Sequence, residues 1–78
     1  MRSSRPDVRN PVLALPAAQG LLTLPAESRA ALRALLNALA DDASARAQKC
    51  WRTHKAPMAV YWKAVAVYAR HIARAVRD

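Results

Sequence analysis

The chain has 78 residues, 54% of them hydrophobic, with one glycine, one cysteine and a formal net charge of +8. That length allows one domain with a small core, and a single cysteine excludes an intramolecular disulfide, so a reducing, cytoplasmic setting is expected. No apolar run approaches the ~20 residues that cross a bilayer. Pro6, Asp7, Pro11 and Pro16 break up the start where a secretory leader needs a sustained apolar stretch, and one glycine is too few for a glycine-rich phosphate loop.

Residues 1–11 are polar, carry Arg2, Arg5 and Arg9 and lack periodicity, which predicts a disordered basic tail. Residues 12–78 read as a single helical domain. Its first stretch holds Val12, Leu13, Leu15, Leu21 and Leu22, too apolar for a solvated linker, while Pro16 and Gly20 act as breakers. An extended or single-turn strap laid against the helices is the expectation.

A first helix is predicted at about 25–40. Pro25 costs no hydrogen bond at a helix start, and Glu27 complements the helix dipole in the first turn. Leu32, Leu35, Leu36 and Leu39 then follow the i, i+3, i+4, i+7 spacing of a buried stripe, opposite Arg29, Arg33 and Asn37. A second segment, about 42–55, continues the stripe through Ala43, Ala47, Cys50 and His54 without a change of phase. The two segments therefore read as one long helix, with Asp41 and Asp42 as caps only if the chain kinks there.

Pro57 disfavours helix at Ala56 and suits the opening of a third helix, at about 57–77. On its inner face fall Met58, Tyr61, Val65, Tyr68, Ile72 and Val76; Lys63, Arg70, Arg74 and Arg77 fall opposite. Val60 and Val67 interrupt that basic side and mark a second contact. Tyr61 and Tyr68, seven apart on the apolar face, are expected in the core, and Trp51 and Trp62 at its edges. The predicted fold is thus all-α: a small helical hairpin, or a three-helix bundle if Asp41 is a kink, with an N-terminal strap and a basic tail. A core this small favours a homo-oligomer or stabilisation by a partner.

The chemistry-bearing residues are few. Cys50 and His54 share a helix face at i and i+4, but two ligands do not complete a tetrahedral site, and a buried Cys beside a half-buried His is the plainer expectation. No metal site, cofactor or catalytic role is expected. What distinguishes the sequence is charge: from Ala43 to Arg77 there is no Asp or Glu, while Lys49, Arg52, Lys55, Lys63, Arg70, Arg74 and Arg77 occur among Trp51, Tyr61, Trp62 and Tyr68.

A field of one sign beside aromatic rings attracts a polyanion. The function expected first is association with nucleic acid or a nucleoprotein complex through Lys49, Arg52, Lys55, Lys63, Arg70, Arg74 and Arg77, with Trp62 as the aromatic contact and little sequence preference. The alternative is a protein-interaction module or inhibitor docking on an acidic protein surface, of the kind found among accessory proteins of phages and mobile elements that act on host defence complexes. A membrane-surface role would require Tyr61, Val65, Tyr68 and Ile72 to leave the core.

Overall fold

The computed structural model describes residues 10–76. The expected basic tail, for residues 1–9, and Arg77 lie outside the described residues. The described chain runs through a 3₁₀ turn (Pro11–Ala14) and three α-helices, α1 (Ala18–Leu22), α2 (Ala26–Arg52) and α3 (Ala56–Ala75). Of the two arrangements predicted, the structure is the hairpin.

Helix α2 passes through Asp41 and Asp42 without interruption. Neither carboxylate competes for its own backbone in a way that ends the helix. Asp41 instead accepts from Arg70 Nη2 across the hairpin at 3.4 Å, and Asp42 stands four residues before Arg46 in favourable helical register. Pro25 caps the helix start, and Glu27 lies in the first turn.

The turn between α2 and α3 is a Schellman motif. Lys55 N–H donates to Cys50 C=O at 2.8 Å and His54 N–H to Trp51 C=O at 3.3 Å, which satisfies carbonyls the helix end leaves open. This closure needs a left-handed residue, and His54 supplies it with φ 59°, where glycine is usual. His54 is therefore exposed and off the helix, so the expected half-buried His54 sharing a helical face with Cys50 is not formed. His54→Gly removes the Cβ penalty of that conformation. A gain of about 0.5–1 kcal/mol is expected, read as a rise of a few degrees in the thermal midpoint of the circular-dichroism transition.

Helices α2 and α3 pack antiparallel along their length, from the groove shared by Trp51 and Lys63 near the turn to Arg33 and Val76 at the open end. The seam is alanine: Ala40, Ala43 and Ala47 on α2 face Ala59, Ala66, Ala69 and Ala73 on α3, all buried. Small side chains let two helix axes approach at the short end of the 8–10 Å range.

That seam keeps Ala43, Ala47 and Val76 of the predicted core buried and overturns other parts of it. Leu35 is 65% exposed and Leu39 is exposed too, while Tyr61 and Tyr68, expected inside, lie on the surface with Tyr68 62% exposed. The physical reason is the phase of the contact. On α2 the alanine stripe lies directly beside the leucine stripe, and α3 settles on the alanines, leaving the larger side chains on a flank. The same holds on α3, where Tyr61, Val65 and Tyr68 lie to one side of its alanines.

The N-terminal strap, wound into its 3₁₀ turn and α1, packs on α3. Asn10 and Pro11, the last two positions of the predicted tail, belong to it: Asn10 is buried and its Nδ2 donates to His71 C=O at 2.7 Å. Arg33 Nη1 donates to Val76 C=O at 2.9 Å, and Arg29 Nη1 to Leu22 and Leu24 C=O at 3.1 and 2.7 Å. These two arginines tie the open end of the hairpin together. Arg33→Ala strips a charged donor from the C-terminal end of α3, and a loss of about 1–2 kcal/mol is expected by chemical denaturation. Hairpin and strap together form a slab 18 Å thick.

Candidate functional site

The slab has two broad sides. One is basic and polar. Along α3 it carries Lys63, Arg70 and Arg74, whose positions in sequence span about 16 Å of helix. From α2 it receives Asn37, Ser44 and Trp51, which recur every seven residues, and Gln48. Trp51, Gln48, Ser44 and Ala47 line a shallow groove with Lys63, and Arg33, Asn37, Ala73 and Arg74 line another near the open end.

Between the two grooves sits Arg70. Its Nη2 donates to Asp41 Oδ1 and to Ser44 Oγ, each at 3.4 Å, with the side chain 40% exposed. Arg70 thus serves first as a tie between helices, and retains only part of its charge for a ligand. An exposed ion pair of this kind contributes under about 1 kcal/mol to stability.

Lys49, Arg52 and Lys55 are exposed at the turn end of the hairpin, as expected, and extend the basic surface around the tip. Lys49 lies on the far edge of α2, beside Asp42, Ala45 and Arg46. The seven predicted cations therefore do not converge on one face: Lys63, Arg70 and Arg74 share the broad side, Lys49, Arg52 and Lys55 crown the tip, and Arg77 is outside the described residues.

Trp62 lies half-buried at the edge of the core, where its place in the stripe put it. As a candidate partner contact, however, it is on the opposite side of the slab from Lys63 and Arg70, in a groove with Leu39, Asp42, Ala43, Arg46 and Val65. There it meets Tyr61 edge-to-face, centroids 5.0 Å apart at 80°, and the Arg46 guanidinium 5.9 Å from its ring centroid. Its π-face and edge are engaged within the chain.

Trp51 takes its place on the basic side. It is 52% exposed and borders Lys63 in the groove, a position the heptad spacing Asn37, Ser44, Trp51 signals once the alanine seam is known to face inward. Among the described residues no group of three or more His, Cys, Asp or Glu could hold a metal ion, and no helix is long and apolar enough to cross a membrane.

Fold and site together define a class: an all-α helical hairpin with an alanine seam, one side basic and one side apolar. Comparison with family models, curated proteins and solved structures finds no match to this chain.

Proposed function

We propose that this chain is a cytoplasmic binding protein, without catalytic activity, that associates with single-stranded nucleic acid, free or within a nucleoprotein complex. One observation carries the reading: Trp51 stands half exposed in a groove beside Lys63, on a side continued by Arg70 and Arg74 and bordered by a tip rich in cations. A base stacks on any exposed aromatic face, and flanking cations neutralise the phosphates on either side of it. Duplex would present phosphates but no free base to Trp51, so single strands are preferred. Gln48 and Ser44 in the same groove offer hydrogen bonds to a base edge, which supplies a modest preference and not a code.

The test is titration of the protein, purified free of nucleic acid, into labelled single-stranded and duplex oligonucleotides at two ionic strengths. Tighter binding to the single strand, weakening steeply with salt, is expected. Trp51→Ala should lower single-strand affinity by about 1–3 kcal/mol, roughly 5- to 150-fold, with little change for duplex. Absence of single-strand binding at low salt would overturn the reading.

Docking on an acidic protein surface is the second reading, favoured by Val60, which is exposed near the tip cations and offers an apolar anchor. It predicts a shallow salt dependence and sensitivity to Val60→Ala.

A further inference from the structure

The apolar side of the slab lacks a second layer. Leu35 and Leu39 from α2 and Met58, Tyr61, Val65 and Tyr68 from α3 spread across it, most of them exposed by about half or more. Helical domains bury such a stripe against another element, yet Leu35, Leu39, Met58, Tyr61 and Tyr68 stay exposed although the 3₁₀ turn and α1 pack on α3. The side is about 30 Å long, the length of the 20 residues of α3. Two closely packed helices make it about 18–20 Å wide, giving roughly 550 Å² in projection. That is at the upper limit of the largest patch on an ordinary monomer, about 300–600 Å². The projection is below the ~800 Å² each partner contributes to a standard interface, so a modest, concentration-dependent association is expected.

Charge distinguishes the occupant. Near this side the charged groups are Arg46, whose guanidinium is over Trp62, Asp42 one turn before it, and Lys49 beside both on the far edge of α2; the α3 residues that spread across it, Met58, Tyr61, Val65 and Tyr68, are uncharged. An acidic protein or an anionic lipid surface would need a rim of Lys and Arg here. Lys63, Arg70 and Arg74 are instead on the other side, and Arg52 and Lys55 at the tip. A largely uncharged patch edged by Asp42 beside Arg46 and Lys49 can meet its own copy acid to base, which is the self-complementarity a two-fold interface requires.

We infer that the apolar side is the interface of a homodimer, two copies packing their α2–α3 hairpins face to face into a four-helix arrangement. The inference does not depend on the nucleic-acid reading. The dimer places the two basic sides outward, one on each surface. Repulsion between the copies, each of formal charge +8, is limited because Lys63, Arg70 and Arg74 lie on the other side, Asp42 stands beside Arg46 and Lys49, and the Debye length is only about 8 Å at physiological salt.

Sedimentation equilibrium in moderate salt, across a hundredfold concentration range and without nucleic acid, should return about twice the 8.5 kDa chain mass at the upper end. Leu35→Glu and, separately, Tyr68→Glu change exposed positions of one chain. Each should shift the mass to that of the monomer while helicity by circular dichroism is retained. Val67→Glu, on the basic side, should leave the dimer intact. A monomer at every concentration, a dimer untouched by both glutamates, or a dimer lost equally in Val67→Glu would each overturn the inference. So would a monomer that binds anionic vesicles through Leu35 and Tyr68, which would assign the side to lipid. Strand binding is measured in a separate titration, so its failure would leave a concentration-dependent dimer standing.

Discussion

Ala66→Leu is expected to lower the thermal midpoint of this protein by about 12–24 °C. Ala66 is buried in the seam of α3, between the level of Arg70, which reaches Ser44, and that of Lys63, which borders Ala47. It therefore faces the Ala43–Ala47 stretch of α2. Leucine adds three carbons at a buried position where the two helices meet through methyl groups. Overpacking costs about 1–3 kcal/mol and occasionally more. The upper end is expected here because pushing the helices apart at one level loosens the packing along the entire seam.

A 78-residue domain has about 4–12 kcal/mol in total at 0.05–0.15 kcal/mol per residue, and an alanine seam puts this chain toward the lower end. The thermal midpoint should fall by about 12–24 °C for a loss of 3 kcal/mol. Ala45→Leu, the same change at an exposed position of α2, serves as the control and should leave the midpoint nearly unchanged. If the two variants melt together, the seam is not where the structure puts it.

Replacing Lys55, Lys63 and Arg74 together by alanine should reduce single-strand affinity by two to three orders of magnitude at 0.1 M salt. All three are exposed and none carries a side-chain hydrogen bond that holds the fold together, so helicity should be unchanged. Each cation that meets a phosphate contributes a factor set by counterion release: with a slope of about 0.7–0.9 per neutralised phosphate, removing one such cation at 0.1 M salt costs about five- to eightfold. Removing three then costs about 10²–10³. The dependence of log K on log salt should also become shallower, by about 2–3 units. Unchanged affinity and slope would mean that nucleic acid, if bound, does not use the basic side. Arg70 is left out of the triple variant because its tie to Asp41 and Ser44 mixes a structural effect with any loss of binding.

The candidate site was legible in charge and only partly in placement. An acid-free stretch with regularly spaced cations is visible in the residues alone, and Lys63, Arg70 and Arg74 do share a side. The aromatic partner was not legible. Trp62 is next to Lys63 in sequence, and adjacent residues on a helix point about 100° apart. That angle takes Trp62 to the apolar side with Arg46 and Tyr61, whereas Trp51 reaches Lys63 from the other helix. Contacts between helices depend on how the hairpin closes, which here follows from His54 in the left-handed conformation, at a position where the residue type alone signals no turn.

By itself the sequence determined that the chain is helical, that long helices open near Pro25 and Pro57, and that an acid-free stretch carries regularly spaced cations; whether the helix breaks at Asp41 it left open. Prolines at 25 and 57, the glycine-poor composition and the 3.6-residue period are local properties, and local propensity decides them. Only the tertiary structure decided which stripe is buried. Leucine and alanine stripes run side by side on α2, and the hydrophobic effect acting on one helix favours the larger side chains. Close approach of two helices favours the smaller ones, since dispersion along a tight seam falls off steeply with any gap. In this hairpin the second effect sets the contact, and Leu35, Leu39, Tyr61 and Tyr68 are left exposed.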